Sequence, residues 1–165
     1  MEVLTYTGPD GYRVENPSLE LLEQVIFRDP GKSWLVGKGS SRLSTEVQVG
    51  QRGTSVVTRE PSLMFFFVPK HGFFFDYVAP DQEKVSNWVP FAGGECRPWV
   101  EHYIGGDTFF APRACFVSKP FAWEVVREFD RTRKRSRAVP WVDRFKLEFP
   151  YPPAGDPRPR KADRA

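Results

Sequence analysis

Residues 93–107 read GGECRPWVEHYIGGD and place Glu95, Cys96, Glu101 and His102 between two Gly-Gly pairs. A thiol, an imidazole and carboxylates this close together are the donor set of a metal site, or a nucleophile with its base. A structural zinc site takes about four ligands, usually in Cys-x-x-Cys or His-x-x-x-His spacing. The whole chain has two Cys and two His, none at those spacings. Cys96 and His102 share a face if the stretch is one strand, but at about 3.3 Å per residue they stand roughly 20 Å apart, too far for a shared ligand. This makes Cys96 a structural cysteine and His102 an ordinary surface histidine. Glu95, next in sequence, has the wrong charge to activate the Cys96 thiol. Cys115, inside the apolar run RACFVS, reads as a small core residue.

No zinc-deaminase signature, Walker motif, GxSxG, HExxH or GxGxxG occurs. KGSSR at 38–42 has no helix pattern behind it, so it is not a phosphate loop. Asp and Glu are scattered without an evident pair for glycoside chemistry. No catalytic residue, metal ligand or cofactor is expected, and the chain is read as a non-enzyme. The four suggestive residues are most simply strand side chains, and the Gly pairs mark turns or bulges.

The elements around them follow from periodicity. MEVLTYT alternates and reads as a strand, followed by a GPDGY turn. NPSLELLEQVIF reads as a helix whose stripe is Leu19, Leu22, Val25 and Ile26. Asn16 or Ser18 caps it, and Pro30-Gly31 ends it. SWLVGKG and TEVQVGQRG read as short strands, and RGTSVVTRE as a further strand or an edge. SLMFFFVPKHGFFFDYV reads as a β-hairpin with a four-residue loop, Pro69 to Gly72. Its first run is apolar on both sides, as in a central strand covered twice. APDQEKVSNWVPFAGGE reads as polar and irregular. RPWVEHYI and TFFAPRACFVS read as strands. SKPFAWEVVREFDRTRKR is a second helix, with Ser118 as cap, Pro120 in the first turn, and Phe121, Val125 and Phe129 on one face. The expected fold is α+β: a mainly antiparallel sheet with two helices packed against it, one domain over residues 1–150. Residues 151–165 are a Pro/Arg-rich flexible tail.

At 165 residues the chain is long enough for one real core. The start lacks the basic and apolar regions of a signal peptide, and LMFFFV is too short to span a bilayer. Free thiols in the cytoplasm, and no membrane partner, are the expectation. The net charge of +3 conceals a segregation. Residues 1–118 hold 11 Lys/Arg against 14 Asp/Glu, whereas residues 119–137 hold 7 against 3.

A pattern runs through the second half: Gly93-Gly94, an aromatic-rich strand, GGD at 105–107, CFVS at 115–118 opening a helix, Phe129 near its end, the basic exit RTRKR, and Pro140-Trp141. This order, over roughly residues 60–142, resembles the first-described immunity-protein family of bacterial polymorphic toxin systems, whose members commonly sit beside toxins of the cytidine-deaminase superfamily. The Pro-rich tail departs from the family pattern. The resemblance implies a protein partner, the cognate toxin, whose active site is occluded. It implies no catalytic residue, and it marks Gly105, Gly106, Ser118 and Trp141 as fold-defining.

A toxin that acts on nucleic acid carries a basic groove, so an acidic, aromatic surface suits its inhibitor. Residues 76–107 supply the candidate partner-binding set: Asp76, Asp81, Glu83, Trp88, Glu95, Trp99, Glu101, Tyr103 and Asp107. On a strand, Trp99, Glu101 and Tyr103 share one face. The alternative is a small nucleic-acid-binding module using RTRKRSR and the basic tail, although a basic helix exit is most often simply solvated. The number of copies in the working assembly is not encoded in any pattern found.

Overall fold

The computed structural model describes residues 2–28, 30–35, 37–49, 55–81, 84–96 and 98–147. Its centre is a seven-stranded antiparallel sheet in the order β2-β1-β3-β4-β5-β6-β9. The strands are β1 (Glu2–Thr7), β2 (Arg13–Glu15), β3 (Ser41–Val49), β4 (Ser55–Val68), β5 (Gly72–Asp81), β6 (Lys84–Pro90) and β9 (Trp141–Asp143). A separate two-stranded ribbon is made of β7 (Trp99–Ile104) and β8 (Asp107–Pro112). The helices are α1 (Leu19–Phe27), α2 (Pro30–Ser33) and α3 (Lys119–Thr132). The α+β reading with a mainly antiparallel sheet holds. The helix count rises from two to three, because Pro30 opens a short helix instead of only ending the one before it. That is the first-turn position proline tolerates.

The apolar hairpin organises everything else. Phe65 pairs with Phe75, Phe66 with Phe74 and Phe67 with Phe73. Side chains alternate across the sheet, so each face receives its own aromatic row. One row is Phe65, Phe73 and Phe75, and it is met by Trp34, whose ring lies 6.0 Å from Phe65 and 5.5 Å from Phe73. Tyr77 on this face meets Phe129 of α3 at 6.2 Å. The other row is Phe66 and Phe74, and it is met by the β7–β8 ribbon: Phe109 lies 5.1 Å from Phe66 and 4.9 Å from Phe74. The molecule is therefore three layers, helices on sheet on ribbon. The expectation of a central strand covered on both sides holds.

Helix placement follows local chemistry. The Ser18 hydroxyl accepts from the Leu21 N–H and caps α1, while Leu22 and Ile26 are buried. Leu19 departs from the expected stripe and is exposed. Ser118 is the N-cap residue of α3 by position, with Pro120 in the first turn; Val125 and Phe129 are buried, while Phe121, expected on the same face, is exposed.

Four readings are corrected. The described residues of SWLVGKG form no strand: Ser33 ends α2 and Trp34 turns into the core. Of RGTSVVTRE, read as a further strand or an edge, residues 55–60 are strand, but continuous with the first apolar run in one 14-residue strand, β4. The register of β3 against β4 jumps between Ser44 and Thr45, from Ser62 to Arg59. Pro61 falls in that bulge, where no ladder N–H is needed. The apolar hairpin has a three-residue loop, since Gly72 pairs with Val68. Lastly, much of the segment read as irregular is β6, paired with β5 from Asp81↔Lys84 to Tyr77↔Trp88. Among the described residues no helix is long and apolar enough to cross a membrane.

Candidate partner-binding face of the ribbon

The β7–β8 ribbon carries much of the stretch that first suggested chemistry. Along β7, Val100 and His102 are buried, while Glu101 and Tyr103 are exposed and Trp99 is partly so. Trp99, Glu101 and Tyr103 thus form the outward row, as expected from alternation. The same alternation puts His102 against the core, which corrects its reading as a surface histidine. It is 9% exposed, and its ring stacks on Phe66 at 6.0 Å and 11° between planes. Val100 and Ile104, two positions to either side and on the same face of the strand, are the sequence signal for this.

Two further anchors hold the ribbon. The Gly37 N–H donates to the Tyr103 carbonyl at 3.0 Å, and the Gly105 N–H to the Lys38 carbonyl at 2.9 Å. Gly105 and Gly106 have φ of 59° and 93°, in the left-handed region that favours glycine, and they form the turn between β7 and β8. Asp107 follows this turn and is exposed; Glu95 is exposed in the segment before β7. The Trp99 ring contributes to the row, but its indole N–H is buried with no acceptor among the described residues.

The remaining expected site residues do not join this face. Asp76 is corrected: it is 3% exposed, on the same face of the main sheet as Phe74 but buried, and the Arg144 guanidinium pairs with its carboxylate. Burial outweighs that cation and holds the carboxyl above its ordinary value. Trp88 lies on a different face. It is paired with Tyr77 and shares the helix-side face. There the Arg135 guanidinium lies 3.7 Å above its ring, so it is away from the ribbon. Asp81 ends β5. Glu83 and the tail at 151–165 lie outside the described residues.

The groups first considered for chemistry do not converge. Glu101 and His102 are on opposite faces of β7, and Cys96 precedes the strand instead of sharing it. Both cysteines are free thiols. Burial pushes the Cys115 thiol up to about 12, consistent with the core residue read from RACFVS. Among the described residues, no three of His, Cys, Asp and Glu gather in an arrangement that would hold a metal ion.

Burial also lowers the His102 pKa below its ordinary value. A depressed imidazole contributes stability that is complete above about pH 6.5 and is lost as pH falls through the folded-state value. Acid should therefore loosen the seat of the ribbon. In urea unfolding between pH 8 and pH 5, His102→Leu is expected to lose less stability than the parent chain. Equal losses would show that this ring is not the sensor.

The chain matches no model of a known protein family, and a search of curated proteins returned no match.

Proposed function

We propose that this chain is an immunity protein, which binds a cognate toxin domain of deaminase type, or another toxin that acts on nucleic acid, and covers its active site. In this reading it catalyses no reaction of its own. The observation that carries the proposal is the ribbon. Its inner side is fixed to the sheet by His102 and Phe109, and its outer side presents Trp99, Glu101 and Tyr103 in one row. Tyr103, 45% exposed, is among the large hydrophobic side chains that remain open to solvent. Aromatic anchors held on a rigid strand lose little freedom on binding and are the side chains that dominate tight interfaces. Glu95, Glu101 and Asp107 add negative charge around them, which favours encounter with a basic, nucleic-acid-binding groove. The ordered pattern from Gly93-Gly94 to Trp141 supports the same reading.

The test is co-expression with a toxin domain encoded by a neighbouring gene. A stable complex is expected to co-purify. Trp99→Ala and Tyr103→Ala should each weaken it by about tenfold or more, or about 1.4 kcal/mol. Trp88→Ala, on the helix-side face, should leave the affinity within about threefold of the parent. Absence of a toxin gene nearby, or a complex indifferent to the ribbon variants, would end this reading.

A further inference from the structure

A second surface lies on the helix side of the sheet, where the chain leaves α3. Arg133, at φ 60°, ends the helix, and both its backbone N–H and its guanidinium bond the Phe129 carbonyl, at 2.8 and 3.1 Å. The loop beyond is tied at several points. The Tyr77 hydroxyl donates to the Arg133 carbonyl at 3.3 Å, the Trp141 indole N–H to the Ser136 carbonyl at 2.8 Å, and the Ala138 N–H to the Ser136 hydroxyl at 3.1 Å. Arg135 is stacked on Trp88. A cleft of about 610 Å³ opens between this loop and a floor that includes Tyr77 and Trp141. Its walls include Lys134, Arg135 and Arg137 and, among the described residues, no carboxylate. An adjoining cleft of about 540 Å³ shares those three cations and adds Glu124 and Glu128.

Cations at a helix C-terminus usually do no more than offset its dipole. Here that task falls to Arg133, which already bonds a terminal carbonyl. The nearby acids are paired elsewhere, Glu124 with Arg127 at 2.5 Å and Glu128 with Arg131 at 2.8 Å. Lys134 and Arg137 make no ion pair among the described residues. Two cations outside any ion pair among the described residues, Arg137 also feeling the Glu128 carboxylate, stand beside a guanidinium plane and an aromatic floor in a shallow, largely open groove. Ammonium and guanidinium groups recognise phosphate, and guanidinium and aromatic planes stack on planar rings.

We propose that this cleft binds a nucleotide, with the phosphate against Lys134 and Arg137 and the base against the Arg135–Trp141 side. The phosphate-bearing nucleoside comes either from a free mononucleotide or from the 5′-phosphorylated end of a single-stranded nucleic acid. The proposal rests on the cleft alone, so its failure would leave the ribbon reading untouched, and the reverse.

The test uses the full chain and the change in tryptophan fluorescence. The probes are adenosine monophosphate, adenosine, inorganic phosphate, a polyglutamate peptide, and a short oligothymidylate with and without a 5′-phosphate. Adenosine monophosphate is expected to bind about tenfold or more tightly than adenosine, phosphate or polyglutamate, and to weaken as salt rises. The double variant Lys134→Gln/Arg137→Gln should lose about tenfold or more of that affinity while keeping the parent's melting temperature. A phosphorylated oligonucleotide that binds more tightly than the mononucleotide identifies a strand end as the source; equal or weaker binding identifies the free nucleotide. The proposal is overturned if no phosphorylated probe binds below millimolar concentration. Phosphate or polyglutamate matching the mononucleotide, or unchanged affinity in the double variant, would overturn it as well.

Discussion

Replacing Phe66 with alanine is expected to remove about 3–5 kcal/mol of folding stability. The side chain is 1% exposed and sits where two layers meet, with Phe74 at 5.3 Å, Phe109 at 5.1 Å and His102 at 6.0 Å. The surrounding rings are held by the main sheet on one side and by the ribbon on the other. The void left by truncation therefore cannot close without moving an entire layer, and uncollapsed cavities are the costly ones. Urea unfolding would measure the loss. Phe65→Ala is the instructive comparison. Phe65 is equally buried but meets Tyr6, Trp34 and Phe75 on the helix side. Its truncation should cost a similar amount of stability while leaving the ribbon seated, so only Phe66→Ala should also weaken partner binding at a denaturant-free, fully folded temperature. A loss below about 1 kcal/mol for Phe66→Ala would contradict the two-layer packing described here.

Gly72→Ala is expected to cost about 3 kcal/mol or more, from two causes that can be separated. Gly72 has φ of +102°, where a side chain is strained. In addition, a Cβ built there would lie 2.3 Å from the Val117 carbonyl oxygen, a backbone atom that cannot swing aside. Val117 is joined to Phe73 by N–H to carbonyl bonds in both directions, at 2.8 and 2.9 Å. This short bridge sets the approach of the chain to α3, so the substitution would strain the start of that helix together with the hairpin. Gly11→Ala serves as the reference. Gly11 has φ of +80° with nothing within 4 Å of a built Cβ, so it should show only the conformational cost of about 1–2 kcal/mol. Thermal unfolding of both variants would give the difference. Equal losses would mean that the contact with Val117 relaxes freely.

The sequence was most legible where one periodicity dominated. Two apolar runs around Pro69–His71 could only be a hairpin, and a run apolar at every position had to be covered on both faces. Alternation along β7 placed Trp99, Glu101 and Tyr103 together. The same rule places His102 inside, whereas its polar type alone points outward; position outweighs type here. Other errors share a cause. β6 alternates between side chains of mixed polarity, and proline at both Pro80 and Pro90 suggested loop; paired backbone with a half-exposed surface leaves a weak apolar signature. Pro61 hides in β4 because a bulge frees it from the ladder. The charge of Asp76 points to the surface when read alone, because its counterion, Arg144, is 68 positions away. The Arg135–Trp88 stack is likewise remote in sequence, and no local pattern announces either pair. The basic exit at 131–137 was visible as charge. Its cleft was not, because that depends on which acids are already paired.

Strand β9 has only three residues, yet it is the neighbour that covers the far side of β6. During synthesis β3, β4, β5 and β6 emerge in the order in which they pair, so each new strand finds its template waiting. The outer rim of β6 must then wait for the ribbon and α3 to be made before residues 141–143 arrive. At roughly 5–20 residues per second that interval lasts seconds, ample time for a bare strand to recruit another nascent chain. Pro90, which cannot donate to an intruding backbone, stands at one end of that rim, where it would act as a gatekeeper until Trp141 pairs with it.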